Sequence, residues 1–284
     1  MRNLLVDVGN TRLKWAVLQD SGLIPGLTLV NQHITRHELI ETWKMPTPPE
    51  RLAIACVSRA PLLELVQSVA IELWPAIEII HVKSQAHAFG VYNAYQQPEK
   101  LGVDRWLALV AVRNHYQLPA CIVDCGTAIT VDLIDAEGKH HGGMFSPGLT
   151  LMKKSLAAGT EALQFHTTNY DFGPADFTEA AIYSGTLSAA VGLIEHVLKT
   201  QSNAMVTDRG DCPPLSPGEA RPEHSRRGRG ESFQKIALCD CPEYMKLILT
   251  GGDAEVIAKQ LASQSIVDPD LVLRGLAVVL DGQS

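Results

Sequence analysis

The chain has 284 residues, 46% of them hydrophobic and 19% charged, which is enough apolar material for two ordinary globular domains. Its net charge of −7 and pI of about 5.8 exclude general attraction to nucleic acid or an anionic membrane, so a phosphate ligand would need a local site. Asp7 ends the first apolar stretch too early for a secretory core, no run approaches the ~18 apolar residues of a membrane span, and none of Cys56, Cys121, Cys125, Cys212, Cys239 and Cys241 forms a C-x-x-C pair, so a cytoplasmic protein with reduced thiols is expected.

Residues 3–8 are apolar, Gly9-Asn10 can turn, and residues 11–19 are apolar again, a pattern that predicts a β-hairpin. Residues 25–31 read as a third strand. Thr35 and Glu38 make a capping box that opens a helix over 36–44. A buried strand is expected over 51–58, a helix over 61–74 with Pro61 in its first turn, and a strand over 77–82. The next helix spans 103–116, with Trp106, Leu107, Val110 and Ala111 on one apolar face.

The pattern then restarts. Strands are expected at 120–125, 128–135 and 245–250, a turn at Ala136-Glu137-Gly138, and helices at 148–158, 178–200, 252–263 and 271–280. Adjacent His140 and His141 match no zinc spacing and read as surface histidines on a turn. Strands alternating with helices in both halves predict an α/β protein of two related lobes, 1–117 and 118–284, with a ligand cleft between them. Residues 203–238 carry Cys212-Pro213-Pro214, Pro217-Gly218 and Arg226-Arg227-Gly228-Arg229-Gly230. That composition cannot bury an apolar face and predicts a mobile insertion in the second lobe; Glu219, Glu223 and Glu231 dilute its positive charge, so it reads as a solvated loop rather than an RNA-binding tail.

Two segments echo each other. Leu5-Val6-Asp7-Val8-Gly9-Asn10-Thr11 opens the first half and Ile122-Val123-Asp124-Cys125-Gly126-Thr127-Ala128 the second. Each is a strand, an Asp, a Gly turn with a polar residue, and another strand. Gly allows a tight turn and lets backbone N–H groups approach a phosphate, the turn hydroxyl or amide can bond its oxygens, and the Asp can hold a cation directly or through water. Two such hairpins facing each other would grip a polyphosphate from both sides. Leu247-Ile248-Leu249-Thr250-Gly251-Gly252 adds a strand running into a Gly-Gly turn, which can pack against a flat nucleoside.

This arrangement resembles the sugar kinase, Hsp70 and actin superfamily. Within it, Asp7-Val8-Gly9-Asn10-Thr11 with Lys14, Gly102-Val103-Asp104-Arg105, Asp124-Cys125-Gly126-Thr127-Ala128, Gly142-Gly143 leading to Pro147-Gly148, and Thr250-Gly251-Gly252 resemble, in order, the elements of type III pantothenate kinases. The resemblance implies an actin-like fold and phosphorylation of pantothenate by ATP with Mg²⁺, the first step of coenzyme A biosynthesis. It implies that Asp7, Val8, Gly9, Asn10, Thr11, Arg12, Leu13, Lys14, Thr127, Gly251 and Gly252 bind ATP, with Asp7 reaching Mg²⁺ through water. It implies Asp104 as general base, and Tyr95, Gly102, Val103, Asp104 and Arg105 as the pantothenate site, with Arg105 available to the substrate carboxylate; Tyr92 competes with Tyr95. Asp124 matches a ligand of K⁺ or NH₄⁺, and Thr178 a residue that reaches pantothenate from the other subunit. The helix after Thr178 carries Ala180, Ala181, Ser184, Gly185, Ala189, Ala190 and Gly192, which suits either a homodimer interface or close packing within one lobe. A kinase of another small hydroxy metabolite, or an inactive nucleotide-binding transcriptional accessory protein, are the alternative readings.

Overall fold

The computed structural model describes residues 2–160, 168–206 and 245–282. The expected hairpin forms as β1 (Asn3–Val8) and β2 (Arg12–Gln19). The strand expected over 25–31 is two short strands instead, β3 (Gly22–Pro25) and β4 (Leu29–Val30), both pairing with β2, followed by a 3₁₀ turn at Asn31–His33. The break falls at Gly26, whose N–H donates to Trp15 O at 2.8 Å and whose missing Cβ leaves room for the Trp15 ring. Thr35 caps α1 (Arg36–Thr42) as expected, its Oγ1 accepting from Glu38 N at 3.2 Å. Then come β5 (Arg51–Cys56), α2 (Ala60–Leu73), β6 (Glu78–His81), a small hairpin of β7 (His87–Ala88) and β8 (Val91–Tyr92), and α3 (Val103–His115).

The second half has β9 (Ala120–Cys125), β10 (Ala128–Ile134), β11 (His140–Pro147), α4 (Leu149–Ala158), α5 (Thr178–Val206), β12 (Lys246–Thr250), α6 (Ala254–Ala258), β13 (Ser265–Val267) and α7 (Leu271–Asp281). The helix expected over 252–263 is only the short α6, because Glu195 Oε1 captures the amides of Ala262 and Ser263 at 2.9 and 3.0 Å. The strands β7, β8, β11 and β13 were not anticipated. The expected insertion at 203–238 lies outside the described residues from 207 onward, and residues 203–206 continue α5.

The echo in the sequence is an echo in topology. One sheet runs β3-β2-β1-β5-β6, with β4 also on β2, and the other β11-β10-β9-β12-β13. In each, an antiparallel hairpin leads into parallel strands. Both β1 and β9 carry a run of apolar residues ahead of their Asp, because both their faces are covered there. Leu4, Val6 and Val8 point to a core under α1 and α2, while Leu5 points to the centre of the molecule. Likewise Cys121, Val123 and Cys125 face α5 and α6, while Ile122 faces the centre.

That central core is built on α3 and α7, which pack on each other, and the helices cross over between the halves. The C-terminal α7 lies on β1, β2 and β5 of the first sheet, and α3 reaches β9 and β10 of the second. Gly275 permits the crossing: a Cβ there would run into the Leu107 carbonyl. By length and composition, Thr178–Gln201 of α5 would suffice to cross a membrane, which was not expected from its sequence, but Tyr183, Leu187, Ile194 and Val197 are buried in the core of the second sheet.

Candidate active site

Each Gly turn is closed by its own glycine N–H, the first over three residues and the second over two, and the two turns meet. Gly9 N donates to Arg12 O at 3.1 Å, and Gly126 N to Ala128 O at 3.1 Å. Thr11 Oγ1 and Thr127 Oγ1, 116 residues apart in sequence, share a hydrogen bond of 2.7 Å. Asn31 Nδ2 donates to Gly9 O at 2.7 Å, bracing the first turn from behind. Val8 and Leu13 are fully buried and Val8 O accepts from Val57 N, so the side chains of these two expected ATP residues belong to the core. Lys14 is more than an outward strand lysine, since its Nζ reaches across to Pro269 O at 2.9 Å.

The Gly-Gly turn is fastened to the second hairpin. Asp253 N donates to Cys125 O at 2.9 Å. Gly251 has φ +93° and sits where a Cβ would strike the Asp124 carboxylate, so both conformation and space demand glycine. A Cβ on Gly252 would come 2.6 Å from Arg12 Nη1, which places the Arg12 guanidinium against this turn.

Asp7 and Asp124 stand at the ends of the two hairpins' first strands, and the charge of Asp104 acts on both. Burial, the Asp104 charge and the Asp124 charge push Asp7 up to about 7 against the pull of Lys14. Burial, then Asp104, push Asp124 up to about 6 against the same lysine. Burial also raises Asp104, although Arg105 N donates to its Oδ1 at 2.8 Å and the Arg105 charge opposes the shift. Asp104 is in the first turn of α3, with Gly102 as the residue before it leaving space for the carboxylate. Such hard oxygen donors suit Mg²⁺, while among the described residues no three His, Cys, Asp or Glu side chains are grouped to hold a metal ion by themselves.

Arg105 departs from expectation. It is 4% exposed and grips Asp132 with two bonds, Nε to Oδ2 at 2.8 Å and Nη2 to Oδ1 at 2.6 Å. Its Nη1 donates to Tyr95 Oη at 2.7 Å, and Phe145 covers the guanidinium at 4.7 Å. The guanidinium is therefore already neutralised within the protein, not held free for a substrate carboxylate. Tyr95, rather than Tyr92, is the tyrosine on Arg105; Tyr92 stacks on His87 at 4.0 Å and lines a cavity of about 600 Å³ whose wall also includes Ala94, Lys139, His140 and His141. His140 is not on a surface turn: it is fully buried in β11 and bonds Asp132 Oδ1 at 2.8 Å, whereas His141 remains accessible and bonds Asp135. Thr178 is exposed at the start of α5, and among the described residues no hydrogen bond or ring contact joins it to the carboxylates.

Asp132, His140, Phe145 and Asn31 were missed. A signal existed for Asp132, a carboxylate in the largely apolar run Ile129 to Ile134, where an unpaired charge would be costly.

Comparison with known proteins bears on all these elements together. The family model described as type III pantothenate kinase matches residues 3–200. A type III pantothenate kinase of Nitrosococcus oceani is 36% identical, covering 97% of this chain and 92% of that protein, and one of Halorhodospira halophila is 33% identical over 96% and 95%. Among solved structures, a Baf family protein of Campylobacter jejuni, described as a transcriptional activator, has a TM-score of 0.55 at 19% identity, covering 99% of this chain and 98% of that one, which speaks for the fold. The matched span takes in both hairpins, the Asp104 turn and the Arg105 clamp, and the relatives continue through the Gly-Gly turn, so the chain belongs to the type III pantothenate kinase family.

Proposed function

We propose that the chain transfers the γ-phosphoryl group of ATP to the primary hydroxyl of pantothenate, giving 4′-phosphopantothenate for coenzyme A synthesis, with Asp104 as the base. The observation that carries this reading is the joining of the two Gly turns that follow Asp7 and Asp124, with the charge of Asp104 acting on both carboxylates. The ATP phosphates lie along residues 7 to 14 and Thr127. There, Asn10 and Thr11 offer backbone or side-chain donors, Gly9 gives the bare turn that lets the phosphates approach, Val8 and Leu13 hold that turn from the strands, and Lys14 offers its charge. Gly251 and Gly252 take the adenosine, with Arg12 at its edge. Asp7 would hold Mg²⁺ and Asp124 would hold K⁺ or NH₄⁺, ions that would neutralise phosphate charge when bound. Asp104 orients the attacking hydroxyl and accepts its proton, its raised pKa bringing it nearer the working pH. Pantothenate rests on the backbone at Gly102 and Val103, on Tyr95, and on the N–H that Arg105 retains at Nη1.

Thr178 completes the site from a second copy. Support for a homodimer comes from α5, where Ala181, Gly185, Ser188, Ala189 and Gly192 are exposed along one side and Gly185 and Gly192 have nothing within 4 Å of a built Cβ. Their smallness is thus not required by packing within this chain. We take 1–117 and 118–284 as the two lobes and the cytoplasm as the compartment; the free thiols of Cys56, Cys121 and Cys125 agree with it.

A coupled ADP-release assay with product identified by mass spectrometry tests the reading. Phosphopantothenate formed only with ATP, Mg²⁺ and K⁺ or NH₄⁺ is expected. ADP release that ignores pantothenate would refute the substrate, and equal rates in sodium-only and potassium buffers would refute the role given to Asp124.

A further inference from the structure

The Arg105 clamp contains more than the substrate site needs for itself. Asp132 is 3% exposed, and two side chains make three hydrogen bonds to it. Arg105 Nε and Nη2 take both oxygens, and His140 Nε2 takes Oδ1 at 2.8 Å. The roles in the last bond follow from the other ring nitrogen. Ala94 N–H can only donate, and it points at His140 Nδ1 at 3.4 Å. Nδ1 therefore accepts, the ring proton sits on Nε2, and His140 donates to Asp132. Burial alone would raise the Asp132 carboxyl, but the bonds from His140 and Arg105 outweigh it and hold it below the usual carboxylate range. Gly143 keeps the space clear, since a Cβ there would collide with Arg105 Nη2, Asp132 Oδ1 and Val131 O.

The last link is Tyr95. An arginine cannot accept a hydrogen bond, so Tyr95 Oη must accept from Arg105 Nη1 at 2.7 Å. That leaves the Tyr95 O–H proton with nowhere to go on Arg105 and free to be donated outward. The ring is fixed as well, lying nearly parallel to His140 with centroids 6.2 Å apart. Asp132 thus sets the Arg105 fork, the fork fixes which way the tyrosine hydroxyl donates, and His140 ties Asp132 to the Ala94-Tyr95 segment.

We propose that Asp132, braced by His140, is a positioning residue for the phosphoryl acceptor: through Arg105 it turns Tyr95 into an outward hydrogen-bond donor for the acceptor's carboxylate or amide oxygen. The inference rests on the kinase reading above and assigns roles to two residues outside its substrate contacts. It differs from a merely structural role in what it predicts, because only acceptor binding passes through Tyr95.

The test is steady-state kinetics of the full-length protein with ATP and pantothenate varied separately. Asp132→Asn is expected to raise KM for pantothenate about tenfold or more while KM for ATP and kcat stay within about threefold. Tyr95→Phe should raise the pantothenate KM similarly, and in the Asp132→Asn background it should add less than about twofold, because both changes remove the same donor. His140→Asn, which keeps a group near Ala94 but withdraws the Nε2 donor, is the milder variant and should shift the same constant about threefold if Asp132→Asn does not fold. An unchanged pantothenate KM in folded variants, equal shifts in both KM values, full additivity with Tyr95→Phe, or unfolding of both variants would each overturn the proposal. A wild-type chain with no pantothenate-dependent ADP release would overturn it together with the kinase reading, a result distinct from wild-type turnover with indifferent variants.

Discussion

At the residue scale, the proposed chemistry uses three carboxylates whose charge burial disfavours, with Asp104 adding repulsion at Asp7 and Asp124. Asp104→Asn keeps the shape and the bond from Arg105 N but cannot take the acceptor's proton. It should lower kcat by about 10²-fold or more with ATP affinity intact by calorimetry, and a kcat within about threefold of wild type would remove Asp104 from the base role. Asp7 makes a second point. Its folded value of about 7 is above its ordinary 3.8, so between those pH values the folded protein holds a proton that the unfolded chain has lost. Its contribution to stability is therefore complete below the ordinary value and is lost as pH rises to about 7. Asp124 follows the same course toward about 6. Asp7→Asn should accordingly abolish turnover yet stabilise the nucleotide-free protein at about pH 8, by roughly 1–2 kcal/mol, with the gain shrinking toward about pH 5. Thermal melts of both proteins across that range check it; a variant less stable than wild type at the alkaline end would show that Asp7 is not an uncompensated charge.

At the scale of elements, each Gly turn proposed to meet phosphate is held by neighbours from outside the hairpin. Asn31 fastens the first, Gly148 N and Asp253 N fasten the second, and the Thr11–Thr127 bond joins them. Preorganised donors of this kind act on a transition state without first having to be ordered. Helix α5 is of the opposite sort, well packed along one side and bare along the other. Gly185→Leu adds a side chain to the bare side, where there is space within the monomer. It should leave the fold intact by circular dichroism but split the proposed dimer in sedimentation velocity and raise the pantothenate KM, since under that reading Thr178 would no longer reach its partner's site. A Gly185→Leu protein that stays dimeric would move the interface elsewhere.

At the scale of the whole molecule, the two halves cannot be separated at residue 117, because α3 and α7 pack together in the central core and each lies across the other half's sheet. The C-terminal helix consequently governs the stability of the N-terminal sheet, with Leu271, Leu273, Leu276, Val279 and Leu280 buried there. Gly275→Ala would press a methyl group into the Leu107 carbonyl and force the two helices apart. A loss of about 1–3 kcal/mol in denaturant unfolding is expected, as for other overpacked cores. A change below about 0.5 kcal/mol would mean that the helices shift past each other freely.

What the amino-acid sequence determined by itself was local or repeated. The turns at Gly9 and Gly126, the cap at Thr35, and the apolar runs of β1, β5, β9 and β12 depend on a few adjacent residues, and the echo of Asp7 in Asp124 was visible because the same local chemistry occurs twice. The tertiary structure alone decided the contacts made across distance. It placed Asp132 under Arg105, took His140 from a supposed surface turn into the core, and brought Pro269 to Lys14. It also cut the helix expected over 252–263 short, because Glu195, far away in the chain, offered the last amides a better acceptor. The physical reason is common to these cases. A turn or an amphipathic run is stabilised by near neighbours and leaves a pattern in the sequence, whereas a buried charge is tolerated only beside a partner whose position depends on how the sheets and helices pack.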